Sequence, residues 1–143
     1  MAIKGSWRME SSTIPFALVV DDDPIILMDA SGILEDAGFR THEANDGDAA
    51  ILMLPEYAHT ITLLFSDVDM PGDTDGFALA RHVAELYPWI EIVIASGRVK
   101  PEDGDLPDKA TFLSKPFSTP MVHQHLRAIL PDGKKPEPLR NAV

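Results

Sequence analysis

Short apolar runs alternate with helical repeats along this chain. Residues 16–20, 61–66 and 91–95 are apolar runs of the kind that form strands buried on both faces, and residues 39–44 and 110–113 can form two further short strands. Each run is followed by turn residues. Continuous apolar strands that alternate with helices are typical of a parallel sheet covered on both sides, so the sequence predicts a doubly wound α/β domain with five strands.

Helical spacing of apolar residues fills four of the intervals after these strands. Asp23 is predicted to cap a first helix that Pro24 opens, and Ser118 or Thr119 is predicted to cap a last helix that Pro120 opens. By contrast, residues 98–109 carry two prolines and a glycine without apolar periodicity. We expect the helix between strands four and five to be short or missing.

Composition limits the classes of protein that need considering. The chain has 143 residues, with 12 Lys and Arg against 23 Asp and Glu, so its net charge is −11. Such an acidic surface repels phosphate backbones and anionic lipid, so we expect neither nucleic acid nor a membrane as a direct partner. The chain has no cysteine, and residues 1–13 contain no run typical of a signal peptide. A cytoplasmic location is therefore predicted.

Charged and hydroxyl side chains gather at the predicted carboxyl edge of the sheet. Asp21 and Asp22 follow the first strand, Asp67 the third, Ser96 the fourth and Lys115 the fifth. Carboxylates brought together repel one another unless a cation lies between them, and ligands that are all oxygen select a hard ion such as Mg²⁺. The sequence thus predicts a magnesium site with a lysine and a hydroxyl opposite it.

A phosphoryl group is the anion that best fits this combination of residues. Lys115 and the Ser96 hydroxyl can hold its oxygens, while one carboxylate acts as the nucleophile that accepts it. Asp67 is the best candidate for this nucleophile, because it would emerge from the middle strand with Asp21 and Asp22 on one side and Lys115 and Ser96 on the other.

With these residues in place, the chain resembles a response-regulator receiver domain of bacterial two-component signalling. The resemblance covers residues 14–131 and leaves flexible tails predicted at 1–13 and 132–143. It rests on motifs that occur in family order and with near-family spacing: Val19-Val20-Asp21-Asp22, Asp67-Val68-Asp69-Met70-Pro71, Asp75-Gly76, Ser96-Gly97 and Lys115-Pro116-Phe117.

The resemblance implies roles for the acids. Asp67 would accept a phosphoryl group from a histidine kinase or a histidine phosphotransfer protein. Asp22 and Asp67 would bind Mg²⁺ directly, Asp21 would bind it through water, and Asp69 would bind it through its backbone carbonyl. A protein of this kind is a signalling phosphoacceptor, with self-catalysed phosphotransfer and slow autodephosphorylation, rather than a turnover enzyme.

The resemblance also implies a switch. Ser96 stands at the position of the switch hydroxyl, and Phe112 stands at the aromatic switch position, three residues before Lys115. The Lys115–Pro116 bond is expected to be cis. Output would then pass through contacts with a downstream protein that the sequence does not identify, and we expect a monomer or a weak dimer.

Two segments depart from the commonest family pattern. The loop 70–76 is about one residue longer, and 98–109 lacks the usual helix, which puts the family's output surface in doubt. Asp73 and Asp75 superficially resemble calcium ligands, but Ala78 stands where an EF-hand needs a bidentate Glu. A turn and a helix cap are the roles that we predict for these two acids.

Several functions remain open from the sequence. The main hypothesis is a stand-alone receiver, and the alternative is the receiver part of a larger hybrid kinase or regulator. A phosphatase of the haloacid dehalogenase type also uses Mg²⁺ and an aspartyl-phosphate, but there the acid motifs occur in a different order along the chain. A receiver-like interaction module that is never phosphorylated is disfavoured by the complete set of acids and the lysine.

Overall fold

Five parallel strands form the sheet in the computed structural model, which describes residues 14–141. The strands are β1 (Phe16–Val20), β2 (Arg40–Ala44), β3 (Ile61–Asp67), β4 (Glu91–Ser96) and β5 (Thr111–Ser114). Their order across the sheet is β2-β1-β3-β4-β5, and every neighbouring pair is parallel. This confirms the predicted doubly wound α/β fold, with each predicted strand displaced by at most one residue at either end.

The helices follow the predicted cap signals. They are α1 (Pro24–Asp36), α2 (Gly47–Tyr57), α3 (Gly76–Leu86), α4 (Thr119–Ile129) and a short α5 (Glu137–Asn141). The side chains of Asp23, Asp46, Asp75 and Ser118 accept backbone N–H groups at the starts of the first four. Each cap satisfies donors that the first helical turn leaves free, which explains why these helices begin where they do. Among the described residues, no helix is long and apolar enough to cross a bilayer.

Each face of the sheet has its own apolar core. On one face, α1 and α4 contribute residues such as Leu34 and Leu126, both fully buried against β1 and β4. On the other face, α2 and α3 contribute Leu54 and Val83. Burial on both faces is the reason that β1, β3 and β4 read as nearly continuous apolar runs, whereas β2 at the edge of the sheet is partly exposed and mostly polar.

The connection between β4 and β5 contains no helix, although the structure describes all of residues 97–110. This agrees with the prediction of a short or missing helix. Val99 and Leu106 from this segment pack against the core on the α2 and α3 face. Two apolar side chains on an irregular loop therefore help to cover the sheet next to β4.

The predicted flexible tail at 132–143 is wrong for the residues that the structure describes. After a 3₁₀ turn at Asp132–Lys134, Leu139 of α5 is buried in the core between α1 and α4. Lys134 pairs with Glu91 at the start of β4, with 2.8 Å between Nζ and Oε2. The prediction failed because residues 132–143 are mostly polar, and the buried residue Leu139 does not stand out among them. The predicted tail at 1–13 lies outside the described residues, as do residues 142–143.

Candidate functional site

The candidate site lies where β1, β3, β4 and β5 end side by side. Asp67 is the last residue of β3 and pairs in register with Ala95, one residue before Ser96. Asp21 directly follows β1, and Lys115 directly follows β5. Because all of these strands run in one direction, their carboxyl ends bring together residues that are far apart in the sequence.

Three carboxylates converge at this edge. Asp21, Asp22 and Asp67 each offer an oxygen atom, and these atoms lie within 4.8 Å of one another. Asp21 and Asp67 are buried, whereas Asp22 is exposed at the mouth of the site. One oxygen of Asp21 accepts the backbone N–H of Asp23 at 2.9 Å, which fixes the orientation of this carboxylate. The structure thus brings together the three acids that the sequence predicted.

Lys115 crosses the site and bridges two of the acids. Its Nζ lies 3.0 Å from Asp21 Oδ2 and 3.0 Å from Asp67 Oδ1. The backbone N–H of Lys115 donates to the Ser96 carbonyl at 3.0 Å, which ties the lysine to the end of β4. Hydrogen bonds between charged groups in such a sheltered position are stronger than exposed ones. Lys115 is therefore held beside the side chain that is the candidate nucleophile.

Burial and neighbouring charges both shift the pKa values of these groups. Burial raises the pKa of Asp67, and the charge of Asp21 adds to this effect, although the hydrogen bond from Lys115 opposes it. Burial works against the charge of Lys115, but its bonds to Asp67 and Asp21 outweigh burial, and the net effect raises its pKa. One ammonium group is thus shared among more carboxylates than it can neutralise.

The donor set suits a divalent cation. Carboxylate oxygens without His or Cys select hard ions, and a site with few carboxylates and an open, hydrated side fits Mg²⁺. Asp22 provides that open side, since its side chain is exposed while its two acidic neighbours are buried. The residues at this edge therefore fit the predicted metal.

The remaining predicted residues have varied surroundings. Ser96 is buried, and its Oγ accepts the backbone N–H of Val99 at 3.2 Å. Phe112 is half-buried against the core on the α2 and α3 face, and the Asp69 side chain is exposed. The Lys115–Pro116 bond is cis, as predicted. The switch roles of Ser96 and Phe112 and the ligand role of Asp69 remain predictions.

One contact near the site was missed by the sequence analysis. Asp48, in the first turn of α2, accepts hydrogen bonds from Asp73 and Thr74 in the loop that follows β3. In the sequence, Asp48 looks like any acid in the first turn of a helix, a common position because of the helix dipole. No spacing signal links it to a loop 25 residues further along the chain.

The family of this chain follows from its sequence and its fold together. The sequence model of the response regulator receiver domain matches residues 17–127, so the chain belongs to this family of two-component system proteins. The chain is 31% identical over 118 residues to the sensor kinase CckA of Brucella abortus, a match that covers 79% of this chain and 12% of that protein. It is 32% identical over 105 residues to the nitrogen assimilation regulatory protein NtrX of Azorhizobium caulinodans, covering 71% of this chain and 23% of that one.

Solved structures agree with this assignment. The crystal structure of a response regulator receiver protein from Sinorhizobium medicae superimposes with a TM-score of 0.72 and 31% identity, covering 81% of this chain and 91% of that one. The chain thus aligns with almost the whole of that structure. It spans only about an eighth and a quarter of the lengths of the two curated relatives.

Proposed function

We propose that this chain is a phospho-accepting receiver in which Asp67 takes a phosphoryl group from a histidine kinase or a histidine phosphotransfer protein. The observation that carries the proposal is the placement of Asp67, which lies among Asp21, Asp22 and the Lys115 ammonium at the carboxyl edge of the sheet. A buried carboxylate that is paired with a lysine and open to an ion on its other side has the surroundings that an acyl phosphate needs.

The transfer itself is a substitution at phosphorus. An Asp67 carboxylate oxygen forms the new O–P bond as the N–P bond of the donor phosphohistidine breaks, and the departing imidazole nitrogen keeps the electron pair. Lys115 is already within hydrogen-bonding distance of Asp67 and can follow the charge onto the phosphoryl oxygens. A Mg²⁺ ion held by Asp22, Asp67 and the Asp69 carbonyl, with Asp21 bound through water, would supply the remaining positive charge.

The consequence of phosphorylation would be a shift between two conformations. Ser96 lies at the end of β4, and its hydroxyl hydrogen is free to bond to a phosphoryl oxygen on Asp67. Val99 would move with it, because its N–H is bonded to Ser96 Oγ. Output then passes to a downstream protein by contact. The chain would act in the cytoplasm as a phosphoacceptor rather than a turnover enzyme, either as a stand-alone receiver or as part of a larger kinase or regulator.

The test is labelling by a small phosphodonor. Wild-type protein is incubated with acetyl phosphate and Mg²⁺ and separated on a phosphate-affinity gel, and we expect a retarded band that EDTA abolishes. Asp67→Ala should remove the band. The matched control is Asp23→Asn, which changes an exposed acid beside the site while leaving a residue that caps α1 equally well. Equal labelling of wild type and Asp67→Ala would refute the proposal.

The phosphatase alternative makes a different prediction. A haloacid-dehalogenase-type enzyme would release many equivalents of p-nitrophenol from p-nitrophenyl phosphate. A receiver would consume at most about one equivalent before the slow step of autodephosphorylation. Sustained turnover that is lost in Asp67→Ala would therefore favour the phosphatase.

A further inference from the structure

The loop that follows Asp67 is attached to the start of α2 by a single carboxylate. Asp48 Oδ1 accepts the Thr74 hydroxyl at 2.7 Å, and Asp48 Oδ2 accepts the backbone N–H of Asp73 at 3.1 Å. Thr74 is buried, although it lies in a loop. Both carboxylate oxygens are thus engaged by donors from residues 68–75, the loop that also carries Asp69.

The loop and the helix are in close contact at this point. A Cβ atom on Gly47 would lie less than 3.0 Å from the Thr74 carbonyl oxygen, and one on Gly72 would lie less than 3.0 Å from Asp48 Oδ2. Gly72 also has a φ of +94°, which other residues rarely adopt. Two glycines therefore allow the loop to reach the Asp48 carboxylate.

The two ends of the same loop are joined to each other. The backbone N–H of Gly76 donates to the Val68 carbonyl at 2.9 Å, and Gly76 leaves no room for a side chain against the Asp67 backbone. This closes the base of the loop, whereas Asp48 holds its middle. A fixed point in the middle of a loop limits the conformations open to it, so the contact with Asp48 reduces the entropy that ordering costs.

We propose that Asp48 is a positioning residue of the metal site. It holds the loop 68–75 so that the Asp69 carbonyl is in place before the ion arrives. This inference rests on the proposed function, because it assumes that the ion binds at Asp67. Residues that orient metal ligands without touching the metal commonly change metal affinity by about 10- to 100-fold when they are removed.

Asp48 is better suited to this role than to either of two simpler ones. It is not one of the carboxylates that converge at the site, which are Asp21, Asp22 and Asp67, and both of its oxygens accept hydrogen bonds from the loop. Its charge alone would favour the start of α2, but this would not require contacts with residues 25 and 26 positions away. Asp46 already caps that helix by accepting the N–H of Ala49 at 2.7 Å.

Four variants of the full chain distinguish a positioning role of Asp48 from an effect of its negative charge. Asp48→Ala removes both hydrogen bonds, and Thr74→Val removes one of them without changing the charge or the volume much. Asp48→Asn removes the charge but can keep both bonds, with its oxygen facing the Asp73 N–H and its amide donating to Thr74 Oγ1. Asp46→Asn is the matched control, because it removes a charge from the same helix end while Asn caps equally well.

The measurement is the dissociation constant for Mn²⁺, a probe for oxygen-ligand magnesium sites, followed by the EPR signal of the free ion. We expect Asp48→Ala to weaken binding about tenfold and Thr74→Val about threefold. Asp48→Asn and Asp46→Asn should change it by less than about twofold, the effect of one distant charge in water. Circular dichroism in EDTA verifies that each variant is folded, and amide exchange of residues 68–75 without metal should be faster in Asp48→Ala and Thr74→Val.

The possible outcomes keep the two proposals distinct. If wild type binds Mn²⁺ but Asp48→Ala and Thr74→Val bind it equally well, the positioning role is overturned while the proposed function stands. Equal weakening by Asp48→Ala, Asp48→Asn and Asp46→Asn would also overturn it, in favour of a pure charge effect. If wild type does not bind Mn²⁺ at all, the metal site itself fails, and both proposals fall. If Asp48→Ala does not fold, Thr74→Val and Asp48→Asn still decide whether Asp48 positions the loop.

Discussion

Two loops leave the same edge of the sheet and border the same site, but they are held very differently. The loop 68–75 after β3 is closed at its base by the Gly76–Val68 hydrogen bond and fixed in its middle by Asp48. The segment 97–110 after β4 is longer, and side chains bond to it at only a few points along its length. The first loop is therefore held in its middle by both oxygens of one carboxylate, whereas the second is bonded by separate side chains at scattered points.

Most of the side-chain hydrogen bonds to the second loop are exposed to water. The Ser96 hydroxyl bonds to the N–H of Val99 at the start, and the exposed Arg81 side chain of α3 donates to the Asp105 carbonyl at 2.8 Å in the middle. Lys109 donates to the Pro88 carbonyl near the end. The bonds from Arg81 and Lys109 are exposed and contribute about 1 kcal/mol or less, because water competes for both partners, whereas the bond to Ser96 is partly buried.

The difference suggests that the two loops have different roles. A metal site works best when its ligands are already in place, whereas a switch needs a segment that can move at small cost. The first loop carries the proposed ligand Asp69. The second begins beside Ser96, the residue expected to respond to the phosphoryl group. The absence of a helix in 97–110 is consistent with that second role, since a helix would pack and resist movement more than a loop does.

The largest expected effect is on the free energy of unfolding. It should appear when a methyl group is added at the base of the first loop and not when one is added at the start of the second. In Gly76→Ala the new Cβ would lie less than 3.0 Å from the Asp67 backbone oxygen, so the backbone must shift. We expect the free energy of unfolding to fall by about 3 kcal/mol, the upper range for an overpacked site. In the matched variant Gly97→Ala the nearest atom is the Lys115 Cβ at 3.6 Å, an ordinary contact. This change should stay within about 0.5 kcal/mol.

Urea unfolding followed by far-ultraviolet circular dichroism measures both values in the metal-free protein. Similar losses in Gly76→Ala and Gly97→Ala would show that the two loops are equally constrained, and the comparison would fail. Unchanged stability in Gly76→Ala would show that the base of the first loop has room to adjust.

An intermediate effect is expected when the second loop loses its central contact. Arg81→Ala removes the hydrogen bond to the Asp105 carbonyl, and with it about 1 kcal/mol of local stability. Amide exchange in residues 99–106 should then accelerate about fivefold, while global unfolding hardly changes. Arg127→Ala, in the last turn of α4, is a control that removes the same kind of side chain elsewhere. Exchange rates equal to those of wild type would mean that apolar packing by Val99 and Leu106 holds this loop instead.

The smallest expected effect is the pH dependence of the attachment of the first loop to Asp48. The hydrogen bonds from Thr74 and then from Asp73 lower the pKa of Asp48 below its ordinary value of 3.8. A depressed acid pKa stabilises the folded state above that ordinary value, and the contribution is lost as the pH falls through the folded-state pKa. The attachment of the loop should therefore persist from pH 8 to about pH 4 and weaken below that.

The side-chain carboxyl carbon of Asp48, followed by NMR, gives this titration directly. In Thr74→Val the midpoint should move up towards the ordinary value, because the larger of the two hydrogen bonds has gone. Identical midpoints in wild type and Thr74→Val would show that Thr74 does not bind the carboxylate in solution.

Local signals in the sequence were sufficient for much of the fold. Asp23 and Pro24 fix the start of α1, and Ser118 and Pro120 do the same for α4, because capping depends only on neighbouring residues. Strand position followed from apolar runs, and the lack of a helix in 97–110 followed from its prolines and glycines. The candidate acids could be found as well, since they directly follow strands whose direction the fold class dictates.

Contacts between distant segments were beyond the reach of the sequence. Leu139 is one apolar residue in a polar stretch, and nothing local shows that the core between α1 and α4 receives it. The attachment of residues 73 and 74 to Asp48 has the same character, since an acid in a first helical turn has several possible roles.

For this protein, the sequence by itself determined the order of the five strands and the first four helices, three of the caps, the family and the identity of the acids and the lysine at one edge. Only the tertiary structure decided that Lys115 bridges Asp21 and Asp67, that Leu139 is buried in the core between α1 and α4, and that Asp48 holds the loop beside the candidate metal site. The physical reason is the distance along the sequence between the residues that interact. Periodicity and capping act over a few residues, whereas these contacts depend on side-chain directions that exist only after the sheet and its two covering layers have assembled.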